Sequence, residues 1–150
     1  MAELISITGT HHNPLLPRLF REPDSHPGIP QSAAAYEELS RRLDADRADV
    51  LLVVANDHLN ELFFDNMPPF MVGKAPQHAG PFDFETKMYD LPRYEAAGHP
   101  DLATHLVRFG FEWGADLSFS DECTLDHAFI IPLHYLQPEA KLPLVPFFAN

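Results

Sequence analysis

Residues 50–55, VLLVVA, are apolar at every position, and the run ends on the polar stretch NDHLN at 56–60. A strand apolar on both faces suits the interior of a parallel sheet, so residues 49–55 predict a central strand. Residues 2–9, AELISITG, alternate and are rich in β-branched side chains, which predicts an earlier strand broken by Gly9. Between the two, residues 13–30 carry five prolines and one glycine and predict a long loop. Residues 31–48 then predict a helix. Ser32 is placed to cap it, and Tyr36, Leu39 and Leu43 fall on one face at spacings of three and four.

Farther on, residues 62–73 look extended, but Pro68 and Pro69 forbid a central ladder position and predict an edge strand or a pair of short ones. Residues 74–98 mix aromatic and charged side chains with no clear period and suggest a lid. Residues 99–114 predict a helix, with Pro100 in its first turn and Leu102, Leu106 and Phe109 on one stripe. A short strand at 115–120, a helix at 128–136 with Pro132 near its start, and a strand at 142–150 complete the pattern. This order of elements predicts an α/β fold, a mainly parallel sheet flanked by helices on both faces.

At 150 residues the chain fits a single domain, 1–150. Proline, 15 of 150, is about twice its usual share of roughly 5%, which implies many fixed turns. A net charge of −12 with only ten Lys plus Arg argues against a nucleic-acid or anionic-membrane surface. No apolar run is long enough to cross a bilayer and no signal peptide is evident, so a cytoplasmic protein is expected. The single cysteine, Cys123, leaves no internal disulfide or Cys-rich zinc site and reads as a small buried side chain.

Nine histidines bring in the chemistry. THHNP at 10–14 follows the first predicted strand, NDH at 56–58 follows the second, and LDH at 125–127 joins a later strand to the next helix. In open α/β sheets the ligand crevice lies beyond the carboxyl ends of the strands, so these three turns can converge on one pocket. Neutral imidazole suits iron, zinc, copper or nickel, and two histidines plus one carboxylate form the open-faced site of non-haem Fe(II) oxygenases. Asp57 and Asp126, each beside a histidine, are candidates to orient imidazole from behind. His26, His78, His99, His105 and His134 are assigned to solvent, turns and helix faces. No Gly-rich phosphate loop and no G-x-S-x-G elbow is present, which disfavours a nucleotide enzyme and a serine hydrolase.

Five segments resemble one family in order: HHNP at 11–14, NDHLNELFFDNMPPFMVG at 56–73, GHPDLA at 98–103, LDHAFIIPL at 125–133 and LPLVPFFAN at 142–150. The chain is similar to the N-terminal half of class III extradiol ring-cleaving dioxygenases. This LigB-type superfamily includes protocatechuate 4,5-dioxygenase β subunits and 2,3-dihydroxyphenylpropionate dioxygenases. The resemblance implies Fe(II) as cofactor, a catechol-type aromatic substrate and O2 as partners, and a LigB-like sheet incomplete at its C-terminus. It implies His12 and His58 as iron ligands, with His11 the alternative to His12, and His127 as the histidine that assists proton transfer or dioxygen handling.

The family's carboxylate ligand and a further acid/base histidine come from a second half that this sequence does not match. Asp121 or Glu122 could stand in for that ligand. Three readings stay open: a fragment, a site completed by another chain in a homo-oligomer or heteromer, and a non-catalytic scaffold of the same fold. A zinc hydrolase on the same sheet is a fourth. For an acidic substrate, Arg18, Arg21, Lys74, Lys87 and Arg93 are the cations in predicted loops, and they leave the substrate-binding residues unknown.

Overall fold

A computed structural model describes residues 2–150. Helices α1 (Leu16–Leu19) and α2 (Ile29–Asp46) come first, then strands β1 (Leu51–Ala55), β2 (Phe70–Gly73) and β3 (Gln77–Gly80). Helix α3 (Asp83–Tyr89), strand β4 (Tyr94–Ala97), helix α4 (Pro100–Glu112), strand β5 (Ser118–Ser120), helix α5 (His127–Leu136) and strand β6 (Leu144–Ala149) follow. The main sheet runs β1-β6-β2-β5, with β1/β6 and β2/β5 parallel and β2/β6 antiparallel. The mainly parallel α/β sheet expected from the sequence is therefore present.

Helix α5 lies on one face. Its residues Phe129, Ile130, Ile131 and Leu133 are buried with Leu144 and Phe148 of β6 and Met71 of β2. A helix apolar nearly all round is a buried one, and α2 closes it from the outside through Tyr36 and the Ser40 hydroxyl, which donates to the Leu136 carbonyl at 2.9 Å. On the opposite face α4 sets Ala103 and Val107 against Val72 and Val145.

Several elements depart from the expectations, for identifiable reasons. Residues 2–9 form no strand. A period-2 sequence becomes a strand only where another strand supplies its ladder; here Ser6 instead donates to Asp46 on α2 at 2.6 Å, and Leu4, Ile5 and Ile7 stay exposed. Among the described residues β1 pairs only with β6, so it is an edge and not a central strand. The register places Leu52 and Val54 on the α4 side of the sheet, where they remain 49% and 60% exposed because α4 packs on β2 and β6.

Conversely, β2 is interior: its ladder begins at Phe70, just past the two prolines, so they cost it nothing. Helix α2 starts at Ile29, with Pro30 in its first turn, and Ser32 lies inside it, bonded to His11 rather than capping. The segment 74–98 is not a lid. It folds as an antiparallel β3–β4 pair with α3 between the strands, and Tyr94, Ala96 and Leu91 enter the core.

Candidate metal centre

The pair β1/β6 ends beside the site. Past Ala55 the chain turns at Asp57, whose carboxylate accepts from the backbone N–H groups of Asn60 (3.0 Å), Glu61 and Leu62 (3.0 Å). That knot fixes the loop carrying His58. Asp57 thus touches backbone, not an imidazole, and acts on the histidine only through the turn.

His127 opens α5, and Asp126 is its N-cap, with Oδ1 accepting from the Ala128 N–H at 2.9 Å. Strand β3 brings α5 into register with the site: the Leu125 N–H donates to the Ala79 carbonyl at 2.9 Å. Gly80 passes so close that a Cβ there would sit 2.0 Å from the Leu125 carbonyl oxygen. His12 comes from the loop ahead of α1.

These three turns meet. One ring nitrogen each from His12, His58 and His127 lies within 4.8 Å of the others. The ring centroids are 5.2 Å apart for His12 and His58, 5.9 Å for His12 and His127, and 4.3 Å for His58 and His127. The neighbouring His11 turns away: its Nε2 meets the Ser32 hydroxyl at 2.9 Å and its carbonyl accepts from Tyr36. Burial, and then the neighbouring His58 and His127, hold the His12 ring below the ordinary imidazole pKa, which keeps its lone pair available near neutrality.

Two buried carboxylates stand behind the imidazoles. Asp126, 1% exposed, has Oδ2 2.9 Å from His58 Nδ1 and accepts from the His58 N–H at 3.1 Å. Glu85 of α3 has Oε1 2.6 Å from His127 Nδ1. An ionised carboxylate only accepts, so the imidazole form that bonds to it is the one with a proton on Nδ1, which leaves the Nε2 lone pair for a ligand. At His58 the Asn56 amide, 3.4 Å from Nε2, has a donor to offer that lone pair. Glu85, Asp126 and His127 also form a compact buried set within 4.8 Å, but both carboxylates are engaged by imidazole N–H groups.

Of the other candidates, Asp121 pairs with Lys74 at 3.2 Å, and neither it nor Glu122 joins the cluster. Arg18 donates to the Met88 carbonyl, Arg21 pairs with Asp90, Arg93 with Glu95, and Lys87 is exposed. His26 and His99 accept from backbone N–H groups in their own turns, and His105 stacks on Phe109. His78, by contrast, is not at the surface: it is 1% exposed, with neither ring nitrogen hydrogen-bonded among the described residues. Cys123 is half-buried against the core, and burial pushes its thiol up to about 12.

Glu85 is the residue that sequence reasoning missed. It sits in a stretch without clear period, and its signal, a glutamate at the third position of a short helix with Tyr89 one turn on, is shared by many solvated helices.

Residues 7–150 match the family described as the catalytic LigB subunit of aromatic ring-opening dioxygenase. The chain belongs to the LigB family. Among its relatives is a 2,3-dihydroxyphenylpropionate/2,3-dihydroxicinnamic acid 1,2-dioxygenase of Rhodococcus sp, 32% identical over 148 residues, which are 97% of this chain and 44% of that protein. Proteins of the same description from Rhodococcus jostii (strain RHA1) and Klebsiella pneumoniae (strain 342) are 31% and 32% identical over 97% and 73% of this chain, and 44% and 33% of their own length. This LigB chain therefore spans less than half the length of the curated relatives it matches. No helix among the described residues is long and apolar enough to cross a membrane.

Proposed function

We propose that the chain carries the histidine half of an extradiol dioxygenase site, at which a catechol-type substrate is opened with O2 at a non-haem Fe(II). The observation that supports this most is the meeting of His12, His58 and His127 within 4.8 Å, with two of the three rings oriented from behind by buried carboxylates. Three imidazoles backed by two anions fit a divalent cation that prefers nitrogen. Iron is favoured over zinc because the relatives are named dioxygenases and zinc has no redox chemistry with O2.

His12 and His58 would hold the metal, and His127 would handle protons. When bound, iron supplies the Lewis acidity and the electrons that O2 chemistry requires. The chain's own part is to present two neutral imidazoles as ligands and a third as acceptor of a catechol proton, which it later returns. Asp126 orients His58, and Asp57 holds the loop beneath it. The carboxylate that would complete the iron face is not an unengaged acid of the cluster, so it would come from the portion that the longer relatives possess, on the same polypeptide or on a partner chain in a homo-oligomer or heteromer. A cytoplasmic location goes with this reading.

An oxygen electrode tests it. The chain, alone and with the remaining half of the Rhodococcus relative supplied separately, is loaded with Fe(II) or Zn(II) and given 2,3-dihydroxyphenylpropionate. One O2 consumed per catechol lost, with Fe(II) alone, is the expected result. No uptake in either arrangement refutes the reading, and Zn(II)-dependent hydrolysis of a separately supplied aryl ester, without O2 uptake, would replace it by a zinc hydrolase. Tight association with the second half but no turnover would favour a scaffold, a reading to which the exposed Leu52 and Val54 of β1 give some support.

A further inference from the structure

Glu85 lies outside the five sequence motifs quoted above, yet it is 1% exposed and directed at the site. A buried carboxylate is costly unless hydrogen-bonded, so its partners say what it is for. Oε2 accepts from the Phe82 N–H at 3.3 Å, a local contact that closes the first turn of α3. Capping alone would explain that oxygen. It does not explain Oε1, which accepts from the backbone N–H of His127 (3.3 Å) and lies 2.6 Å from its ring Nδ1, 42 residues farther along the chain. Tyr89, one turn after Glu85, sets its ring against the same imidazole with centroids 5.5 Å apart. Helix α3 therefore grips a single side chain from two successive turns, and α3 is in turn tied down by Arg18 to the Met88 carbonyl and by Arg21 to Asp90.

We propose that Glu85 is a positioning residue that locks His127 in the Nδ1–H tautomer, so that Nε2 is the basic atom offered to substrate. The proposal rests on His127 as the proton-handling group. In that role the O–H bond of a catechol hydroxyl breaks, its electron pair stays on oxygen, and the proton bonds to Nε2. The imidazolium that results is balanced by the Glu85 carboxylate, which takes no proton itself, and Nε2 later returns the proton to a product oxygen. The two histidines nearest each other thus have separate carboxylates, Asp126 for His58 and Glu85 for His127. Changing one should leave the other's tautomer as it was.

The test is a long-range proton–nitrogen correlation spectrum of the metal-free chain at pH 8, with ¹⁵N-labelled histidine. Charge-assisted bonding at Nδ1 should hold the Nδ1–H form of His127 in roughly tenfold excess or more. In Glu85→Leu that excess should be lost, with the Nε2–H form rising and the His58 signals staying in place. Glu85→Gln should retain the Nδ1–H form, because the His127 backbone N–H also demands an acceptor at the Oε1 position. Nε2–H as the major form in the parent chain would overturn the assignment even if Glu85→Leu failed to fold. So would a Glu85→Leu ratio within about threefold of the parent's. Neither metal nor catechol takes part, so a failure of the ring-cleavage reading leaves this result standing, and the wrong tautomer would remove Glu85's role while leaving ring cleavage open.

Discussion

Asp126→Ala removes a side chain that serves two elements at once. Its Oδ1 caps α5 at the Ala128 N–H (2.9 Å), a bond whose loss costs about 1 kcal/mol. Its Oδ2 accepts from the His58 N–H (3.1 Å), from His58 Nδ1–H (2.9 Å) and, at 3.3 Å, from the Asn60 amide. Stripping the first two donors of their acceptor costs about 2 kcal/mol more, reduced from the fully buried value because the His58 side chain is 34% exposed. A total of about 3 kcal/mol corresponds to a fall in Tm of roughly 6–12 °C for a chain of this size.

Urea unfolding followed by circular dichroism, with the m-value unchanged, measures the loss. Asp126→Asn separates the two roles. It keeps an acceptor for the cap but turns an NH2 toward the His58 donors, so it should recover about 1 kcal/mol of stability and none of the His58 orientation. Both variants should bind Fe(II) or Co(II) roughly 10- to 100-fold more weakly than the parent. A loss under about 1 kcal/mol in Asp126→Ala, or an Asn variant as unstable as the Ala one, would refute this division of labour.

On the proposed reading, and with the remaining half of the Rhodococcus relative supplied, His12→Ala and His58→Ala should each weaken Fe(II) binding in an anaerobic titration, while His127→Ala should keep the metal and lower turnover by about a hundredfold or more; loss of iron in the last variant would make His127 a ligand. Burial lowers His78 from 6.5 to about 4, so the unfolded chain takes up this proton first and stability, complete above pH 6.5, falls as pH drops toward 4. The drop is at most roughly 3 kcal/mol from this group. Urea midpoints at pH 7 and 4.5 should show it, and His78→Phe should flatten that limb, leaving the smaller contributions of His12 and His134, which burial also lowers. Gly80→Ala should cost more than about 3 kcal/mol or prevent folding, because a Cβ would meet the Leu125 carbonyl oxygen at 2.0 Å and push α5 and His127 from the site; an unchanged Tm would show that β3 can yield.

The elements that the sequence made legible are those whose own period records burial. Helices α4 and α5 and strands β1 and β6 each lie within a few residues of their expected bounds, but the covered positions of α4 are Ala103 and Val107 while Phe109 of the expected stripe is exposed, and β1 is covered on one face and not on both. The turns bearing His58 and His127 could be placed at the ends of such elements for the same reason, whereas the turn bearing His12 was placed after a strand at 2–9 that does not form. Residues 74–98 were opaque because they pair with each other in a small two-stranded sheet, where Gln77 and Glu95 face solvent and aromatic Tyr94 enters the core without a sustained rhythm. His78 was misread with them: nothing local distinguishes a histidine packed against Gly73 and Gly98 from one at a surface turn.

Alone, the sequence determined the α/β class and the turns bearing His58 and His127, since an apolar run bounded by polar residues shows where a buried element must end. Only the tertiary structure decided that His12 and not His11 enters the cluster, that Asp57 serves a turn while Asp126 serves an imidazole, and that Glu85 reaches His127. It also decided that residues 2–9, patterned as a strand, remain unpaired. Contacts between groups tens of residues apart depend on how elements pack and on whether a strand finds an edge, and neither is written into the local pattern.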